Sequence, residues 1–95
     1  MEQLYALIAG LGKKYHAEKI VLFGSRARGD NRERSDIDLA VYGMPEQNRP
    51  LFWSDVDDLP TLLKFDLVHI TAHTDLALAQ VIEKEGVTLY EQSGN

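Results

Sequence analysis

At 95 residues, with a 44% apolar fraction, no cysteine and a formal net charge of −5, the chain has the size of one domain, residues 1–95, with one core; a large substrate surface would need a partner or a second copy. The lack of cysteine excludes disulfide staples and thiolate sites, and the acidic balance disfavours direct binding to DNA or RNA. No apolar run nears the ~20 residues that span a bilayer and Met1 to Leu11 has no basic cluster ahead of an apolar stretch, so a cytoplasmic protein without membrane attachment is expected.

Leu4, Leu7, Ile8, Leu11 and Tyr15 recur at helical spacing and predict a helix from Glu2 to Tyr15. Gly10 and Gly12 inside it mark either close packing or an early end. Lys19 and the run Ile20-Val21-Leu22-Phe23 predict a strand buried on both faces. Gly24 stops it, Ser25 stands where a helix N-cap would be, and Arg26-Ala27-Arg28 can form one turn before Gly29-Asp30-Asn31 breaks it. Ser35 to Tyr42 predicts a second strand, with Ile37, Leu39 and Val41 on one face and Asp36, Asp38 and Ala40 on the other.

Met44 to Pro50 reads as a loop, followed by a weak helix carrying Phe52, Trp53, Val56 and Leu59 and closed by Pro60. Leu63 to Ile70 predicts a third strand, Asp75 to Glu85 a last helix with Gly86 in the usual C-terminal position, and Val87 to Tyr90 a short strand. Glu91 to Asn95 reads as a frayed tail. The order α-β-α-β-α-β-α-β asks for an α/β (α+β) domain: a small mixed sheet packed with helices. The Gly24–Asp30 segment is too short for a standard crossover, so its flanking strands are expected to run antiparallel, which argues against a dinucleotide-binding fold.

Four features carry chemistry. Asp36 and Asp38 project from one strand face roughly 6.6 Å apart. Oxygen ligands of this kind suit magnesium or manganese, although the pair alone is equally well read as the wet face of an edge strand. Gly24-Ser25, between a buried strand and a short helix, offers backbone N–H groups and a hydroxyl to an anion, or else merely caps that helix; it lacks the glycine spacing of a Walker loop. Arg28, one turn beyond Ser25, can reach a phosphate. Arg26 is the weaker candidate, and Arg32 and Arg34 read as solvated or paired with Asp30 or Glu33. Asp66 interrupts an apolar strand on the face of Val68 and Ile70, where an acid needs a cation or a hydrogen-bond network. His69, on the opposite face, reads as a satisfied or half-exposed strand histidine, His16 and His73 as surface residues, and Phe52 and Trp53 as core or partner contacts.

Together, Phe23-Gly24-Ser25-Arg26-Ala27-Arg28-Gly29, then Ser35-Asp36-Ile37-Asp38-Leu39-Ala40-Val41, then Asp66 resemble the minimal nucleotidyltransferase (MNT) family of the DNA polymerase beta-like superfamily. The resemblance runs over nearly the whole chain and implies a nucleotidyltransferase-like fold. It implies that Gly24 and Ser25, with Arg28, hold the triphosphate of ATP, that Asp36 and Asp38 bind Mg2+ or Mn2+, and that Asp66 completes the metal site and helps deprotonate the acceptor hydroxyl. Small members resemble the antitoxin half of HEPN/MNT toxin–antitoxin pairs, some of which transfer AMP from ATP to a tyrosine of the HEPN toxin. The enzyme so implied is a magnesium-dependent protein adenylyltransferase assembled with a HEPN-domain partner. The alternative is a binding module that neutralises the toxin by occlusion, with little or no turnover. Retention of Gly24, Ser25 and all three carboxylates favours the enzyme.

Overall fold

The computed structural model describes residues 1–93. Its elements are α1 (Glu2–Lys14), β1 (Lys19–Phe23), α2 (Ser25–Arg28), β2 (Ile37–Tyr42), α3 (Arg49–Asp57), β3 (Phe65–Ile70), α4 (Leu76–Glu85) and β4 (Val87–Glu91). The strands form one mixed sheet in the order β3-β2-β1-β4. β1 runs antiparallel to β2 and β4, whereas β2 and β3 are parallel. One turn of helix cannot carry the chain back across a sheet, so β1 and β2 pair antiparallel; the connection through α3 is long enough for a crossover, so β2 and β3 pair parallel.

Strand alternation divides the core in two. On one face Ile20, Leu22, Ile37, Leu39 and Val41 meet Leu4 and Ile8 of α1 and Phe52 and Val56 of α3. On the other, Val21, Phe23 and Ala40 meet Ile82 of α4, with Val68 and Ile70 packed alongside. β1 is buried on both faces at Ile20 to Phe23, which explains its unbroken apolar run.

Some local expectations shift. Met44 to Pro50 is not a loop throughout: a 3-10 turn spans Glu46–Asn48, α3 begins at Arg49, and Met44 is buried. Pro50 suits the first helical turn, where its missing N–H has no acceptor to lose. Asp75 caps α4 from outside by accepting a hydrogen bond from the Leu78 N–H at 3.1 Å. Gly24, not Ser25, occupies the N-cap of α2, and Ser25 is its first helical residue. Gly86 is extended rather than left-handed. Its lack of a side chain serves packing instead, since a Cβ there would strike the Val21 side chain and the Ile82 carbonyl. Gly12 likewise marks close packing, with the side chains of Ile20 and Tyr90 pressed against it. Glu91, expected in the tail, ends β4; Gly94 and Asn95 lie outside the described residues.

Candidate active site

β1 delivers the chain to Gly24 in a conformation, φ 75° and ψ −156°, that side-chain-bearing residues rarely adopt. A Cβ at Gly24 would run into the Asp38 carboxylate. The glycine therefore lets the backbone between β1 and α2 lie directly against that carboxylate. The Gly24 carbonyl accepts from the N–H groups of Ala27 and Arg28, both at 3.1 Å. The first N–H groups of α2, beginning with Ser25, have no acceptor within the helix. Gly29, left-handed at φ 84°, ends the turn.

Sheet register supplies the carboxylates. Phe23 lies opposite Asp38, and Asp38 opposite Asp66, so the two aspartates sit on neighbouring strands about 4.8 Å apart and face the same way. Asp38 is half-buried, while Asp36 and Asp66 are exposed. Asp66, expected to need a cation or a hydrogen-bond network on an apolar strand face, is exposed to solvent near the start of β3, beyond the cover that reaches Val68 and Ile70. Asp36 stands one residue before β2, which begins at Ile37, and its charge acts on Asp38. The expected trio thus resolves into an in-register pair with Asp36 at its margin. The Asp38 carboxyl is pushed above the usual carboxylate range, first by burial, then by the charges of Asp66 and Asp36, with Arg28 acting the other way.

Among the described residues no group of three His, Cys, Asp or Glu side chains is gathered to hold a metal ion by protein ligands alone. Magnesium characteristically takes one or two carboxylates and completes its shell with waters and substrate phosphates. The donors here fit that habit. They are all oxygen, they repel one another, and the Gly24 backbone lies against one of them.

The arginines divide by role. Arg28 is exposed and donates from Nε to Asp30 and from Nη1 to Glu85, each at 3.1 Å. It keeps further N–H donors and acts electrostatically on Asp38. Arg26, the weaker candidate from sequence, turns back from α2 and donates from Nε to the Ser35 carbonyl and from Nη2 to the Glu33 carbonyl, both at 3.0 Å. It therefore fixes the loop that delivers Asp36 and Asp38. The sequence signal for this role was only a second arginine in the turn. Asp30 pairs with Arg28 rather than with Arg32 or Arg34.

His69 stands apart from this site. It accepts from the Trp53 indole N–H at 2.7 Å through Nε2, its Nδ1 is buried without a partner, and burial together with the nearby Arg49 charge lowers its pKa. Phe52 is core and Trp53 is exposed; His16 and His73 are exposed as expected.

The family described as Polymerase beta, Nucleotidyltransferase matches residues 6–95. The chain is 32% identical over 100 residues to the protein adenylyltransferase MntA of Aphanizomenon flos-aquae, covering 90% of this chain and 64% of that protein. It is 41% identical over 63 residues to a Methanocaldococcus jannaschii protein named "Putative protein adenylyltransferase MJ1379", covering 61% and 62% respectively. The chain thus spans somewhat less than two thirds of the length of these relatives. Among solved structures, a chain from the complex of tri-AMPylated Shewanella oneidensis HEPN toxin with MNT antitoxin superposes with a TM-score of 0.67 at 23% identity, covering 97% of this chain and 74% of that one. That likeness establishes a shared fold.

Proposed function

The chain belongs to the Polymerase beta, Nucleotidyltransferase family, and from that premise we propose that it transfers AMP from ATP to a hydroxyl of a partner protein, a tyrosine of a HEPN-type toxin, and acts as that toxin's antitoxin. The observation that carries the reading is the Asp38–Asp66 pair, set in register beside a glycine whose backbone lies against the Asp38 carboxylate. A triphosphate seated on the Gly24-Ser25 loop would bring its phosphates directly over these carboxylates. The names of the two curated relatives and the AMP-bearing toxin in the similar complex support the same chemistry.

In the transfer, the hydroxyl oxygen forms a bond to the α-phosphorus of ATP. The bond from that phosphorus to the bridging oxygen breaks, and pyrophosphate leaves. The hydroxyl proton, held with a pKa of about 10 if the acceptor is tyrosine, passes to the Asp66 carboxylate. Asp36 and Asp38, with phosphate oxygens, would hold magnesium, which neutralises the triphosphate when bound. Ser25 and the α2 N–H groups orient the leaving phosphates, and Arg28 offsets their charge. Mass spectrometry of a HEPN-type partner after incubation with this chain, ATP and magnesium tests the reading. An added AMP on a tyrosine is expected. Loss of toxicity with an unmodified partner would instead establish neutralisation by occlusion.

A further inference from the structure

A cavity of about 420 Å³ opens on the β3 side of the carboxylates, lined by Arg34, Asp36, Leu62, Leu63 and Lys64. Both of its walls are fixed. The Arg26 guanidinium holds the carbonyls of Glu33 and Ser35 on one side, and the Ile37 N–H donates to the Lys64 carbonyl at 2.9 Å, tying the two walls together. Leu62 is fully exposed at 103%, an apolar side chain with no place in the core. Among the described residues neither Arg34 nor Lys64 enters an ion pair, although the chain as a whole is acidic.

We infer that this cavity is the acceptor subsite: it receives the aromatic ring of the target tyrosine against Leu62 and Leu63, and selects acidic residues flanking that tyrosine through Arg34 and Lys64. The inference rests on the adenylyl-transfer reading and adds to it where the acceptor sits and what sequence it has. The direction of attack supports the placement. Gly24 and Ser25 follow β1, Asp38 lies on β2 and Asp66 on β3, and the sheet runs β3-β2-β1. A triphosphate on the β1 side has its pyrophosphate leaving toward β1. In-line displacement then brings the hydroxyl from the β3 side, the side of the cavity, whose Asp36 and Lys64 stand two residues before Asp38 and Asp66 in the chain. In the lining two cations, unpaired among the described residues, outnumber the one carboxylate, Asp36, and beside an apolar wall they complement an acidic segment with one aromatic residue.

The test uses direct binding, so it does not depend on turnover. Two fluorescein-labelled peptides carry one tyrosine each, one flanked by aspartate and glutamate and the other by lysine, and their anisotropy is followed with the intact chain. The acidic peptide is expected to bind about tenfold or more tightly. L62S, which removes only an exposed side chain, should weaken it by about tenfold, the scale of a lost apolar pocket contact, and leave ATP-magnesium affinity by calorimetry unchanged. The double variant R34E/K64E should reverse the peptide preference. Equal binding of the two peptides, or an L62S variant that loses ATP-magnesium affinity while keeping peptide affinity, would overturn the assignment; the latter would make the cavity a nucleoside pocket. Failure of the adenylyl-transfer reading appears separately, as an unmodified partner in the mass spectrum.

Discussion

The two faces of the sheet are covered unequally, and the difference locates the chemistry. One face lies under α1 and α3, where Ile37 and Leu39 meet Ile8 and Phe52, all fully buried. On the other, Ile82 of α4 covers Val21, Phe23 and Ala40, and Asp38 and Asp66 continue the row from Phe23 along the same face beyond that cover. A small chain cannot cover both faces fully. Here the uncovered strip is where charged side chains can meet solvent and ligand without the desolvation that full burial imposes.

The sharpest way to break this comparison is to remove a core residue from the thick face. Phe52 is fully buried and packs edge-on to Tyr15, with ring centroids 6.2 Å apart. F52A should cost about 3–5 kcal/mol in urea unfolding. V68A, half-buried on the open face, should cost about 1 kcal/mol. Equal losses would mean the faces do not differ in the way their burial indicates.

On the open face the large effects should fall on function. D66N preserves shape and removes the proton acceptor, so transfer should fall by about 100-fold or more while thermal stability and ATP-magnesium binding stay near parental values. Parental transfer rates in D66N would take Asp66 out of the mechanism. A smaller effect separates the arginines. R28A should lose roughly 1.5–3 kcal/mol of ATP-magnesium affinity in calorimetry, whereas R32A should match the parent. Because Arg28 is exposed, loss of its contacts to Asp30 and Glu85 should change stability little.

The smallest effect concerns Asp38. Burial, then Asp66 and Asp36, raise its pKa in the folded chain. Its contribution to stability is therefore complete below the unfolded-state pKa and is lost as pH rises through the folded value. At neutral pH, with chelator present, D38N should melt a few degrees above the parent. That advantage should vanish in acid and reverse once ATP and magnesium are added, since the parent alone gains their binding energy. Thermal unfolding across pH, with and without ligand, reads all three conditions.

Much of this arrangement was legible in the chain itself. Period-2 and period-3.6 patterns placed every strand and long helix to within a few residues. The shortness of the segment after Gly24 predicted the antiparallel pairing of β1 and β2. Boundaries slipped where proline and polar residues left periodicity silent, as between Met44 and Pro50. The role of Arg26 was not legible, because its acceptors are backbone carbonyls of Glu33 and Ser35 and a carbonyl leaves no mark on residue type.

The sequence by itself determined the elements, the face on which Asp38 and Asp66 point along their own strands, and the family resemblance, because these depend on local periodicity and motif spacing. Tertiary structure alone decided that Asp66 aligns with Asp38 rather than with a neighbour two residues away, that Asp36 falls outside the strand, and that Gly24 rests on the Asp38 carboxylate. Each is a matter of register or contact between segments distant in the chain. Periodicity within a strand fixes which way its side chains point, but only pairing fixes which of them meet.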